Sequence, residues 1–108
     1  MSRKKRSRNI VAEFDNYFGT GTVQDWQRLC HDVGLEGNFT SITQCRKALK
    51  TVYVNIHDFL DAVKKGRTPQ RFANVHQLAT YTVNSGKIYP KKYVKKMGPV
   101  KALMRQIL

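Results

Sequence analysis

Apolar residues recur at intervals of three and four along nearly the whole chain, the spacing of one buried face of a helix. Ile10, Val11, Phe14, Tyr17 and Phe18 predict a first helix, with Asn9 as its N-cap and Gly19 beyond its end. Gly19-Thr20-Gly21 breaks the chain, and Thr22, with Asp25 three positions on, opens a second helix whose apolar face is Val23, Trp26, Leu29, Cys30 and Val33. Gly34 ends it. After the loop 35–39, Ser41 and Gln44 form an S-x-x-Q capping box for a third helix buried along Ile42, Cys45, Ala48, Leu49 and Val52. The β-branched run Val52–Ile56 fits either a short strand or a bridge between helices. A fourth helix, from Asn55 or His57, carries Ile56, Phe59, Leu60 and Val63 to Gly66. Thr68-Pro69 reads as the start of a fifth, with Phe72, Val75, Leu78, Ala79 and Val83 inward and Asn84-Ser85-Gly86 as its stop. Pro90 can open a short helix. Beyond Gly98-Pro99, a last amphipathic helix carries Val100, Leu103, Met104, Ile107 and Leu108.

The expected fold is therefore all-α: one compact domain over 9–108 of five or six short helices, preceded by a disordered basic tail at 1–8. The second and third helices can be read as a helix-turn-helix, although a loop of five to seven residues is longer than the usual turn. An apolar fraction of 41% suffices for one modest core. No apolar run approaches the roughly 18–20 residues that cross a bilayer. The apolar stretch after the basic N-terminus is too short for a secretory signal, which predicts an intracellular protein. Cys30 and Cys45 fit that expectation as reduced thiols on apolar helix faces; a disulfide is the competing, secreted reading.

Charge sharpens the picture. Residues 1–8 carry +5, residues 9–63 carry −3, and residues 64–108 carry +11 with no acid beyond Asp61, within a total of +13. Two cationic ends around a slightly acidic middle suit a polyanion. The candidate phosphate contacts are Arg3, Lys4, Lys5, Arg6 and Arg8 in the tail, and Arg46, Lys47 and Lys50 facing outward together on the third helix. Lys64, Lys65, Arg67 and Arg71 surround one helix boundary, and Lys87, Lys91, Lys92, Lys95 and Lys96 interleave with Tyr89 and Tyr93. Gln44 would lie near enough to reach a base edge. Lysine outnumbers arginine in the C-terminal segment, and a point charge without a fork favours backbone contacts over base reading. The tyrosines could stack on unpaired bases, but Tyr93, Val94 and Met97 read equally as core.

Other chemistry has weaker support. No C-x-x-C or H-x-x-x-H pair is present, and Cys30 and His31 diverge by about 100° on a helix, so no metal site or cofactor is expected. Cys45 with His57 or His76 lacks any nucleophile signature. Asp58 and Asp61 share a helix face but suit a helix start. Gly19-Thr20-Gly21-Thr22 before a helix can attract an anion, yet no Walker lysine follows. A non-enzymatic protein is expected.

The segments FGTGTVQDWQRLCHDVG (18–34) and SITQCRKALKTVYVNIHDFLD (41–61) resemble a pattern in short ascomycete fungal proteins of unassigned activity. The resemblance implies a eukaryotic origin, in which the RKKRSR run would suit nuclear import. The expected function is nucleic-acid binding in the nucleus, to DNA or RNA, through phosphate contacts. The alternative is a protein-interaction module docking an acidic partner, anchored by Phe39 or the last helix. Binding to a membrane surface is disfavoured for want of a large apolar face opposite the lysines.

Overall fold

The computed structural model of the protein describes residues 8–95 and 97–104. It is all-α, as the periodicity predicts: α1 Ile10–Phe18, α2 Val23–Asp32, α3 Ile42–Leu49, α4 Ile56–Lys64, α5 Val75–Ser85 and α6 Pro99–Met104, with a 3₁₀ turn at Lys91–Tyr93. No strand occurs among the described residues. The start of each of the first five helices is fixed by a side-chain cap satisfying amide N–H groups that a helix leaves unpaired. Asn9 accepts from the Ala12 amide, and Thr22 and Asp25 form the full reciprocal box. At α3 the box is displaced: Ser41 accepts from the Gln44 amide, but the Gln44 carbonyl reaches back to the Thr40 amide at 2.7 Å rather than to Ser41.

Helix α1 lies against α2 and α4, α2 against α3, and α3 against α6. The core between them is threaded by aromatic rings. Phe14 and Phe18 stack at 5.9 Å, Phe18 meets Trp26 edge-on at 5.4 Å, and Tyr17 meets Phe59 edge-on at 5.2 Å. Arg8, just ahead of α1, bonds Asp61 in the second half of α4, while Lys64 at the end of α4 reaches Glu13 in the first turn of α1. Glu13 early in α1 thus meets the end of α4 while Tyr17 late in α1 meets Phe59 early in α4, so the two helices run antiparallel. Arg8 also forks onto Glu13 with two 2.8 Å bonds, so it belongs to the folded domain and not to the tail that the sequence suggests.

Residues 52–55 form the bridge and not a strand. Val52, Val54, Asn55 and Ile56 are all buried, and a single bond from the Phe72 amide to the Tyr53 carbonyl (2.8 Å) ties this bridge to the loop before α5. That bond is one reason the fifth helix does not begin at Thr68-Pro69. The chain stays irregular until Asn74, whose side chain caps the Gln77 amide while Gln77 returns to Ala73. The shift re-aims the helix: Leu78 and Thr82 are buried, and Val83, expected inward, is 68% exposed.

Asn55 joins these parts. It is 1% exposed, yet its amide is satisfied on every side. Its oxygen accepts from the His57 and Asp58 amides, capping α4. Its nitrogen donates to Thr82 Oγ1 (3.2 Å) in α5 and to the Lys87 carbonyl (2.9 Å) beyond it. Next to it, Asp58 accepts from Lys87 Nζ (2.8 Å) and the Tyr81 hydroxyl (2.5 Å). Burial raises the Asp58 pKa, but the bonds from Lys87 and Tyr81 outweigh it and hold the carboxyl below its ordinary value. Asn55→Ala removes a cap and strands buried polar groups, and should lower unfolding free energy by about 2–4 kcal/mol in urea denaturation. Asn55→Asp keeps the capping oxygens but loses both donors, and should fail to restore stability. A stable aspartate variant would show that only the cap matters.

Candidate nucleic-acid interface

Folding sorts the predicted cations into three groups. Arg3, Lys4, Lys5, Arg6 and Lys96 lie outside the described residues. Four are engaged internally. Arg8 and Lys64 pair with Glu13 and Asp61, and Lys87 pairs with Asp58, the Lys87 ammonium pKa being raised chiefly by that carboxylate. Arg46 does not face outward with Lys47 and Lys50. Its guanidinium lies 5.2 Å from the centre of the Trp26 ring and donates to the Met97 carbonyl at 3.3 Å, and its Nε is buried with no acceptor among the described residues. The third group is exposed. Lys47, Lys65, Arg67, Arg71, Lys91 and Lys95 have no carboxylate partner among the described residues, and Lys92 lies over the Tyr93 ring at 5.2 Å. Lys50 is exposed as well. Lys101, also exposed, is a site candidate that the sequence reading passes over.

These exposed cations form separate patches. Lys65 and Arg67 sit beyond the C-terminal end of α4, beside the start of α1, and Arg71 lies over Gly34 at the end of α2. The segment bearing Lys91, Lys92 and Lys95 borders the opposite end of α1, which at nine residues is about 13 Å long. The Arg46 bond to Met97 places α3 beside that second patch. The helix-turn-helix reading does not carry the interface. Nine residues separate α2 from α3, α6 covers a further side of α3, and the Gln44 carbonyl that was to reach a base is taken by Thr40.

Lys95 of the second patch lines a cleft of about 480 Å³, a size that accommodates a small ligand. Its walls are Phe14, Asp15 and Phe18 of α1, the Gly19–Gly21 loop, Trp26, and Tyr89, Tyr93, Lys95 and Met97–Val100. Tyr93 is 52% and Met97 62% exposed, so neither is core; of that trio only Val94 packs against the interior. The glycine loop itself offers no anion site. Asp25 Oδ2 already accepts from the Gly21 and Thr22 amides at 3.0 Å, and these bonds, Thr22 first, hold its carboxyl below the ordinary range. Arg28 donates to the Tyr17 and Phe18 carbonyls at the end of α1.

Cys30 and Cys45 are free and buried, and burial pushes the Cys30 thiol up to about 12, with the neighbouring Cys45 adding to it. His57 faces the Ile88 carbonyl, and His76 is exposed. No metal-binding group of three ligands exists among the described residues. Phe39 packs against the core, with its carbonyl accepting from Gln27, and is not an exposed anchor. No family model, curated protein or solved structure matches this chain.

The bond from Arg8 holds Glu13 down to about 2 against an ordinary 4.5. A depressed carboxylate stabilises the fold fully above 4.5, and the contribution is lost as pH falls from there toward 2. The stability difference between the wild type and Glu13→Gln, measured by urea unfolding, should therefore shrink across that window. A constant difference would contradict this pairing.

Proposed function

We propose that this is a non-enzymatic nucleic-acid-binding protein that grips phosphates with exposed lysines. The observation that carries the reading is the second patch: Lys91, Lys92 and Lys95 stand exposed and without carboxylate partners beside an exposed tyrosine at the rim of an aromatic cleft. Cations in that state keep a counterion atmosphere, and releasing it to a polyanion favours binding. Aromatic rings among them suit unpaired bases. The basic run Arg3–Arg8 supports a nuclear location. Among the described residues no helix is long and apolar enough to cross a membrane.

Binding to a labelled oligonucleotide should weaken steeply with salt. Replacing Lys91, Lys92 and Lys95 together by glutamine should reduce the magnitude of the log–log salt slope by about 2 on single strands. Absence of binding at low salt, or binding indifferent to salt, would overturn the proposal. A partner from cell extract that survives nuclease and needs the same lysines would assign the patch to an acidic protein instead.

A further inference from the structure

We infer that the aromatic cleft is a pocket for one unpaired base of a single strand, with guanine preferred. This rests on the nucleic-acid reading above and adds to it where the base sits and which edge is read. Tyr89 lines the cleft and is 97% removed from solvent, yet its hydroxyl has no hydrogen-bond partner among the described residues. Beside it, Asp15 lines the same wall with a carboxylate that has no side-chain partner among the described residues. Burial raises the Tyr89 pKa and the Asp15 charge raises it further, so the two groups share one electrostatic environment.

The lining defines the ligand. Phe14, Phe18 and Trp26 form an aromatic interior, and Tyr93 and Met97 offer apolar surface at the mouth. Lys95 stands at the rim with Lys92 near, where a backbone phosphate would follow the base. An ionised carboxylate only accepts hydrogen bonds. It matches guanine, whose Watson–Crick edge presents two adjacent donors. Adenine and cytosine each offer one donor beside an acceptor. Thymine and uracil flank a single donor with two carbonyls, which the carboxylate repels. The complementary pattern is thus a planar base with adjacent donors at one end and a phosphate at the other.

The test uses the full chain and single-stranded oligothymidines of about ten nucleotides carrying one central guanine, adenine, cytosine or thymine. Trp26 is the sole tryptophan and lines the cleft, so its fluorescence reports occupancy directly. The guanine oligonucleotide should bind about tenfold tighter than plain oligothymidine, with Trp26 quenched. Asp15→Asn should abolish that preference. Tyr93→Ala, at an exposed position that leaves the unfolding midpoint unchanged, should weaken single-strand binding about fivefold or more and spare duplex binding. Equal affinity for all four oligonucleotides with silent Trp26, while steep salt dependence persists, would overturn the pocket alone and leave the phosphate reading standing. No binding to any oligonucleotide at low salt would overturn both. Quenching by an acidic peptide but by no oligonucleotide would assign the cleft to a protein ligand and overturn the inference.

Discussion

The Asn55 amide is buried, and all four of its hydrogen-bonding positions are filled by groups from three separate stretches of chain. A buried amide with any position empty would cost the fold a desolvation penalty, so the three stretches can adopt only the arrangement that fills them. The oxygen starts α4. The nitrogen holds α5 through Thr82 and pins the chain at Lys87, two residues before Tyr89 enters the core. The Lys87–Asp58–Tyr81 cluster lies alongside and fixes the same exit. Tyr89, Tyr93 and Lys95, which line one wall of the cleft, therefore follow a junction that does not itself line it.

The acidic middle of the chain has a structural use. Glu13, Asp58 and Asp61 neutralise Arg8, Lys64 and Lys87, and Asp25 closes the amides of the Gly19–Gly21 turn. Because carboxylates are few, these pairings leave most other described cations without one. The surplus falls largely in the acid-free C-terminal half, which is why Lys91, Lys92 and Lys95 stand open while Lys87 does not. The exposed basic residues fall at the end of α4, over Gly34 and beside the C-terminal end of α1.

Much of the fold was legible where the deciding interactions are local. Thr22 with Asp25, Ser41 with Gln44 and Asn9 with Ala12 act across three residues, and each marks its helix correctly. The fifth helix shows the limit. Thr68-Pro69 is a sound local start, but the Asn74–Gln77 pair further on is another, and the Phe72 bond to Tyr53 favours the later one. Tyr93 and Met97 were ambiguous because their spacing fits a buried face, yet the 3₁₀ turn and the bend at Gly98 leave them at the cleft mouth. Arg46 reads as an outward charge on a helix wheel, but Trp26 and the Met97 carbonyl draw it in. The cleft had no sequence signal of its own, since its walls come from α1, α2 and a segment some seventy residues later.

The sequence by itself determined the helical class, most helix boundaries, the buried free thiols and the surplus of positive charge. Those follow from capping bonds, apolar periodicity and composition, all of which act within a turn or two of chain. Tertiary structure decided which charges remain available. Arg8 meets Asp61 across 53 residues, Lys64 meets Glu13 across 51, and Lys87 meets Asp58 across 29. An ion pair depends on separation in space at the scale of a few ångströms, and that separation exists only after the helices have packed.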